Sequence, residues 1–270
     1  MPPYESGRRL CLLMEAGETR FSVEATSIME VAAPGPDETS LRGVLEVKDL
    51  SVLLGGDPEP GPGMVVVFDV SPTLAVRVRS IVEVVDAAQS PHFLLPSGLG
   101  DTLAALSRSA VLHKERLYLE LTAEALPHGP GTVHPPPEHP VHFFQGSPER
   151  SLVFESQGRL FGLPLTLVSQ VVARGPSFSA LPGKGGAVAG VYPHAQSLWP
   201  IYSAPALLGA PATPEGFLVL VDLGGRNLGL CASRVLGFHP RFEPAGEPGE
   251  FLAPGLPTPV LFLDLKHMFS

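Results

Sequence analysis

The sequence predicts an all-β fold with short helices, laid down twice along the chain. Three observations carry that expectation. Prolines (31) and glycines (29) are scattered between the apolar runs of the 270-residue chain, and breakers at that density leave no room for long helices. The apolar runs are short and either alternate or are rich in β-branched residues, as in MVVVFDV at 64–70 and FLVLVDL at 217–223. That is the pattern of half-buried or buried strands. Lastly, blocks of the first half return in the second half in the same order.

Composition narrows the class. Hydrophobic residues make up 44% and charged residues 17%, which describes a globular chain rather than a disordered one. A net charge of -9 argues against a nucleic-acid backbone or an anionic membrane as main partner. No run approaches the roughly 18 apolar residues of a membrane span. The opening MPPYESGRR has no apolar signal region behind its basic pair. The expectation is a cytoplasmic protein with no direct membrane insertion. Cys11 and Cys231 lie inside apolar, strand-like runs and read as buried thiols of a reducing compartment.

Leu10 to Glu15 and Arg20 to Val23 form a hairpin closed at Gly17. ATSIMEV at 25–31 begins a short helix or a strand, which Pro34 and Pro36 end. Residues 41–54 carry LRGVLEV and KDLSVLL, stopped by Gly55-Gly56. After the turn DPEPGPG, the strand at 64–70 pairs with the alternating LAVRV at 74–78, and SIVEVV at 80–85 continues extended. Residues 86–101 read as a loop, 103–109 as a short helix, 110–121 as a closing hairpin and 122–126 as one more turn.

The second half follows the same order. Val153-Phe154-Glu155 matches Leu13-Met14-Glu15, Phe161 matches Phe21, and VSQV at 168–171 matches IMEV at 28–31. Gly190-Val191 matches Gly43-Val44, and Leu207-Leu208-Gly209 matches Leu53-Leu54-Gly55. FLVLVDL matches MVVVFDV, the segments at 228–230 and 235–236 match those at 74–76 and 81–82, and LFLDL at 261–265 matches LYLEL at 117–121. A shared block order with length changes only in turns points to tandem duplication. It gives a domain at 1–127, an extended Pro- and His-rich linker at 128–147 and a second domain at 148–270. Closing such short strands into small barrels would remove their exposed edges.

AVAGVYPHAQSLWPIYSAPALLG at 187–209 reads as two strands joined by a turn at Pro193, His194, Ala195 and Gln196, then a short helical piece stopping at Gly209. With GGRNLGLCASRVLGF at 224–238 and LFLDLKHMF at 261–269, it resembles the CheW-like domain, the adaptor module of bacterial chemotaxis-type signalling. GVLEV, KDLSVLLG, LAVRVRSIVEVVD and LYLELTAEAL extend the resemblance through the first half. The resemblance implies two CheW-like domains, each a pair of small five-stranded β-barrels. It implies no catalysis and no cofactor, and docking to a CheA-type histidine kinase, to chemoreceptors or to other CheW-like domains. It places partner docking around the central turn: Val191, His194, Ala195, Gln196 and Trp199 in the second copy, Gly43, Val44 and Val47 in the first. Ala195 stands where the family carries an arginine, and Ser203 where it carries an aspartate. In the first copy the turn and much of the next strand read as missing between Val47 and Lys48, with Arg42 too early to match.

Other chemistry reads weakly. His128, His134, His139 and His142 are spread along a proline-rich linker and, with only Glu138 nearby, do not form a convergent metal site. GGRNLG at 224–229 and GKGG at 183–186 lack the lysine-serine or lysine-threonine ending of a phosphate loop and read as turns. Asp69, Asp222 and Asp264 read as turn caps or solvent-facing strand positions, and Trp199 and Tyr202 as packing residues with an exposed docking face as the alternative. The competing functional class is an all-β small-molecule-binding protein or hydrolase with a cleft between the halves.

Overall fold

A computed structural model describes residues 8–35, 39–97, 99, 101–126, 140–182 and 186–270. His128, His134 and His139 of the linker, and residues 183–185 of the GKGG stretch, lie outside the described residues. The chain divides into two compact units. One comprises Met1–His134 with Pro176–Lys184 and Tyr192–Leu198; the other comprises Pro135–Gly175, Gly185–Val191 and Trp199–Ser270.

The first half makes two sheets. One orders its strands Ser80–Asp86, Leu10–Ala16, Thr19–Glu24, Arg116–Leu121, Ser107–His113, His92–Leu94. The other runs Ile28–Ala32, Met64–Phe68, Leu74–Val78, Leu45–Asp49, Ser40–Leu41. The second half also makes two: Arg234–His239, Ser151–Ser156, Arg159–Pro164, Val260–Phe262, Glu250–Leu252, Glu243–Pro244, and Val168–Ala173, Phe217–Asp222, Asn227–Ala232, Ser197–Tyr202, Val188–His194, Ser179–Ala180. The strand order is the same position for position, apart from the added edge strand Ser179–Ala180. The all-β class with short helices is therefore observed. Three of the four sheets have six strands rather than the expected five, because short edge strands extend them.

The opening hairpin shows why these residues form these elements. Met14 pairs with Phe21 and Phe154 with Phe161, and each of these four side chains is buried. Gly17 closes the first hairpin at φ +57, a left-handed conformation that costs glycine little. The second strand of each hairpin then pairs in parallel with the closing strand, Phe21 opposite Leu119 and Phe161 opposite Leu261. One residue on, the halves diverge in chemistry. Ser22 faces Glu120, whose carboxylate meets the Arg9 guanidinium at 2.7 Å. At the matching position Gly162 faces Phe262, whose ring is packed edge-on by Phe242 and Phe251.

Some segments differ from the sequence expectation. The loop expected at 86–101 contains the 3-10 turn Ala87–Gln89 and the strand His92–Leu94, too short to show a period. The strand of the closing hairpin begins at Ser107, directly after the helix Asp101–Leu106. The end of the expected linker is paired rather than solvated: Phe143 bridges Leu263, Phe144 N donates to the Phe262 carbonyl, and Asp264 N donates to the His142 carbonyl at 2.7 Å.

Candidate functional site

The central hairpin is the candidate docking feature, closed by a two-residue turn in the second half and a three-residue turn in the first. In the second half Val188–His194 and Ser197–Tyr202 flank Ala195 (φ +46) and Gln196 (φ +66). In the first half Ser40–Leu41 and Leu45–Asp49 flank Arg42 (φ +56), Gly43 (φ +70) and Val44, whose N–H donates to the Leu41 carbonyl. Consecutive positive φ angles match the twist of the strands they join. Arg42 and Gly43 thus occupy the turn, as Ala195 and Gln196 do.

This corrects the sequence alignment of the first half. The turn there is present. Gly43 and Val44 lie in it and are not the counterparts of Gly190 and Val191, which sit inside a strand. The arginine missing at Ala195 is carried on the first-half turn by Arg42. Its side chain is 72% exposed and contacts the Glu30 carboxylate. Arg42-Gly43 is visible in the sequence, but the strand ahead of it, Ser40–Leu41, is too short to mark it as a turn.

The candidate docking residues fall into two groups. Val191 and Trp199 are 0% and 4% exposed, so they support the hairpin from the core and offer no surface. Ala195, Gln196, Gly43 and Val44 are exposed, Val44 at 90%, while His194 and Val47 are half-buried. The accessible part is therefore the turns.

Behind the first-half turn stands a polar network. Asp49 caps the helix Leu50–Leu53 by accepting from Val52 N at 3.3 Å. The same carboxylate accepts from Glu59 N at 2.9 Å and from Arg77 at 2.8 Å, with both charged side chains largely buried. Asp49 pairs with Arg77 in the parallel ladder Val47–Ala75, Lys48–Val76, Asp49–Arg77. The second-half ladder runs Ile201–Gly229, Tyr202–Leu230, so the next residues, Ser203 and Cys231, stand where Asp49 and Arg77 stand. Ser203 replaces the family's aspartate at the position where the arginine partner is also absent. Both are 0% exposed, and burial pushes the Cys231 thiol up to about 11.

A second contact recurs and was not expected from the sequence. Glu59, whose side chain is 1% exposed, accepts from Gly17 N at the opening turn and meets Arg79 at 3.2 Å. Glu215 accepts from Gln157 N at 2.9 Å and from the Ser156 hydroxyl. Both glutamates follow a proline just ahead of the strand that pairs with Ile28–Ala32 or Val168–Ala173.

No helix among the described residues is long and apolar enough to cross a membrane. Among the described residues no three His, Cys, Asp or Glu side chains converge to hold a metal ion.

Both halves thus share one strand order, and each presents a short turn at its surface. The family model described as "CheW-like domain" matches residues 150–243, and the chain carries a CheW-like domain there. Among solved structures, the scaffolding protein TtCheW from Thermoanaerobacter tengcongensis is similar at 14% identity and a TM-score of 0.37. That similarity covers 47% of this chain and 97% of that one. No curated protein matches the sequence. CheW-like domains are non-catalytic scaffold domains.

Proposed function

We propose that this chain is a non-enzymatic adaptor of a chemotaxis-type two-component pathway. It holds a CheA-type histidine kinase near chemoreceptors or near other CheW-like proteins. The observation that carries the reading is the CheW-like domain at residues 150–243. Support for a second such domain in the first half comes from its strand order, which repeats that of the second half. On this reading the two domains do not dock alike. The first presents the charged turn Arg42-Gly43, and the second presents the neutral turn Ala195-Gln196.

The test is binding of the purified full chain to the regulatory domain of a CheA-type kinase and to a receptor tip, by titration calorimetry. Arg42→Glu is the directed variant, because an exposed side chain can be reversed without cost to the core. The expected result is measurable binding, weakened about tenfold or more by the substitution, as for a charged contact at an interface. Absence of binding to kinase, receptor and other CheW-like proteins alike would overturn the adaptor reading. Binding that ignores Arg42→Glu would remove the turn from the interface.

A further inference from the structure

The segment joining the strands Val168–Ala173 and Val188–His194 is twice the length of its first-half counterpart, residues 174–187 against 33–39. The extra chain has a definite place. Pro176–Lys184 belongs to the compact unit built on residues 1–134. Its short strand Ser179–Ala180 lies against Thr19–Glu24 and Arg116–Leu121. Phe178, Ser179 and Ala180 are buried.

Arg20 holds this segment. Its guanidinium donates to the Pro176 carbonyl at 2.7 Å and to the Phe178 carbonyl at 2.5 Å. Pro176 and Ser177 form a turn that leads into the strand Ser179–Ala180, and it brings both carbonyls within reach of one planar, multi-donor group. The Ser177 hydroxyl donates to the Glu115 carbonyl at 2.9 Å. That carbonyl is presented by the turn Lys114-Glu115, where both residues have positive φ (+47 and +63). These contacts read main-chain carbonyls and one hydroxyl. Main-chain hydrogen bonds of this kind are a general means of holding a peptide segment.

The two specialisations match across the halves. The long segment occurs only in the second half. The arginine occurs only in the first, because its second-half counterpart, paired with Glu155 as Arg20 is with Glu15, is the buried Leu160.

We propose that the face of Thr19–Glu24 and Arg116–Leu121 bearing Arg20 is a binding surface for a peptide with the strap's own form, a turn running into a short strand, and that Pro176–Ala180 is that strap, occupying it in cis with Arg20 as the latch. Removing the latch frees the strap, and disabling the strap opens the surface to a peptide in trans. This inference does not depend on which signalling partners the adaptor docks.

Hydrogen exchange on the full chain tests the latch. Arg20→Ala and Arg20→Lys, confirmed folded by circular dichroism, are expected to raise exchange at residues 177–180 at least tenfold while the strand Leu10–Ala16 keeps its protection. The second arm uses a fluorescent peptide of residues 175–182 (GPSFSALP). It is expected to bind Phe178→Ala, whose strap lacks its anchor, at least tenfold more tightly than wild type, and not to bind Arg20→Ala/Phe178→Ala. Unchanged exchange in both Arg20 variants overturns the latch. Equal peptide binding by wild type and Phe178→Ala overturns the surface. If Phe178→Ala does not fold, Ser177→Ala, which loses the bond to Glu115, replaces it with the same two outcomes.

Discussion

The exchange of Asp49–Arg77 for Ser203–Cys231 between the halves can be tested by transplantation. Asp49→Ser keeps a good capping residue for the helix Leu50–Leu53, so the cap survives. What is lost is the partner of Arg77, whose side chain is only 16% exposed, and the acceptor for Glu59 N. Breaking a fully buried pair costs about 3–5 kcal/mol, and the partial exposure here reduces that to about 2–3 kcal/mol. In a unit of this size the melting temperature should fall by roughly 10 °C. Arg77→Cys alone should cost less, because the Asp49 carboxylate keeps its bonds from Val52 N and Glu59 N. The double variant Asp49→Ser/Arg77→Cys installs the second-half solution and should recover at least half the loss, a coupling of about 1–2 kcal/mol. Denaturant unfolding of the full chain measures all three. A single-variant change under about 0.5 kcal/mol, or strict additivity in the double, would refute the reasoning.

Two further predictions follow from the second half. A Cβ on Gly162 would meet the Phe262 ring at 2.1 Å, so Gly162→Ala should cost about 3 kcal/mol as the aromatic cluster shifts; wild-type stability by denaturant melt would show that the cluster yields freely. The Cys231 thiol, raised by burial from 9.0 to about 11, is neutral in the native state and ionises earlier in the unfolded one. Its contribution is intact below the unfolded value and is lost as pH rises between about 9 and 11. Melting temperature should fall across that window, and Cys231→Ala should flatten the fall. Tyr202, held up to about 12 by burial, adds its own decline higher up. An identical pH profile in Cys231→Ala would count against a buried thiol with this titration.

Much of this architecture was legible in the residues. MVVVFDV and LAVRV are long enough to show β-branching and alternation, and they pair as read, Val66 opposite Val76. Gly17 closes its hairpin where a left-handed turn was needed. Illegible were elements too short to carry a period, such as His92–Leu94 and Ser40–Leu41. The second of these mattered most. With a two-residue strand ahead of it, the turn Arg42-Gly43 read as part of a strand, and the first half looked as though its docking turn had been deleted. Burial decided the rest: Trp199 faces the core, as its reading as a packing residue expected, and so does Val191, which a strand sequence apolar on both faces does not reveal. The latch of Arg20 on Pro176 was beyond reach, since its partners are main-chain carbonyls 156 and 158 residues away and carbonyls leave no mark in a sequence.

The Pro-Glu pairs ahead of Met64 and Phe217 explain how two such different halves stay superimposable in plan. Each glutamate answers a peptide N–H, at Gly17 in one half and Gln157 in the other. A contact of that kind does not inspect the side chain of its donor. The contact therefore survives a change of donor residue, from Gly17 to Gln157, while the acceptor stays fixed. Scanning mutagenesis should therefore find Glu59 and Glu215 intolerant, with Gly17 restricted for a separate reason, its positive φ and the Ser51 hydroxyl 2.6 Å from where a Cβ would sit.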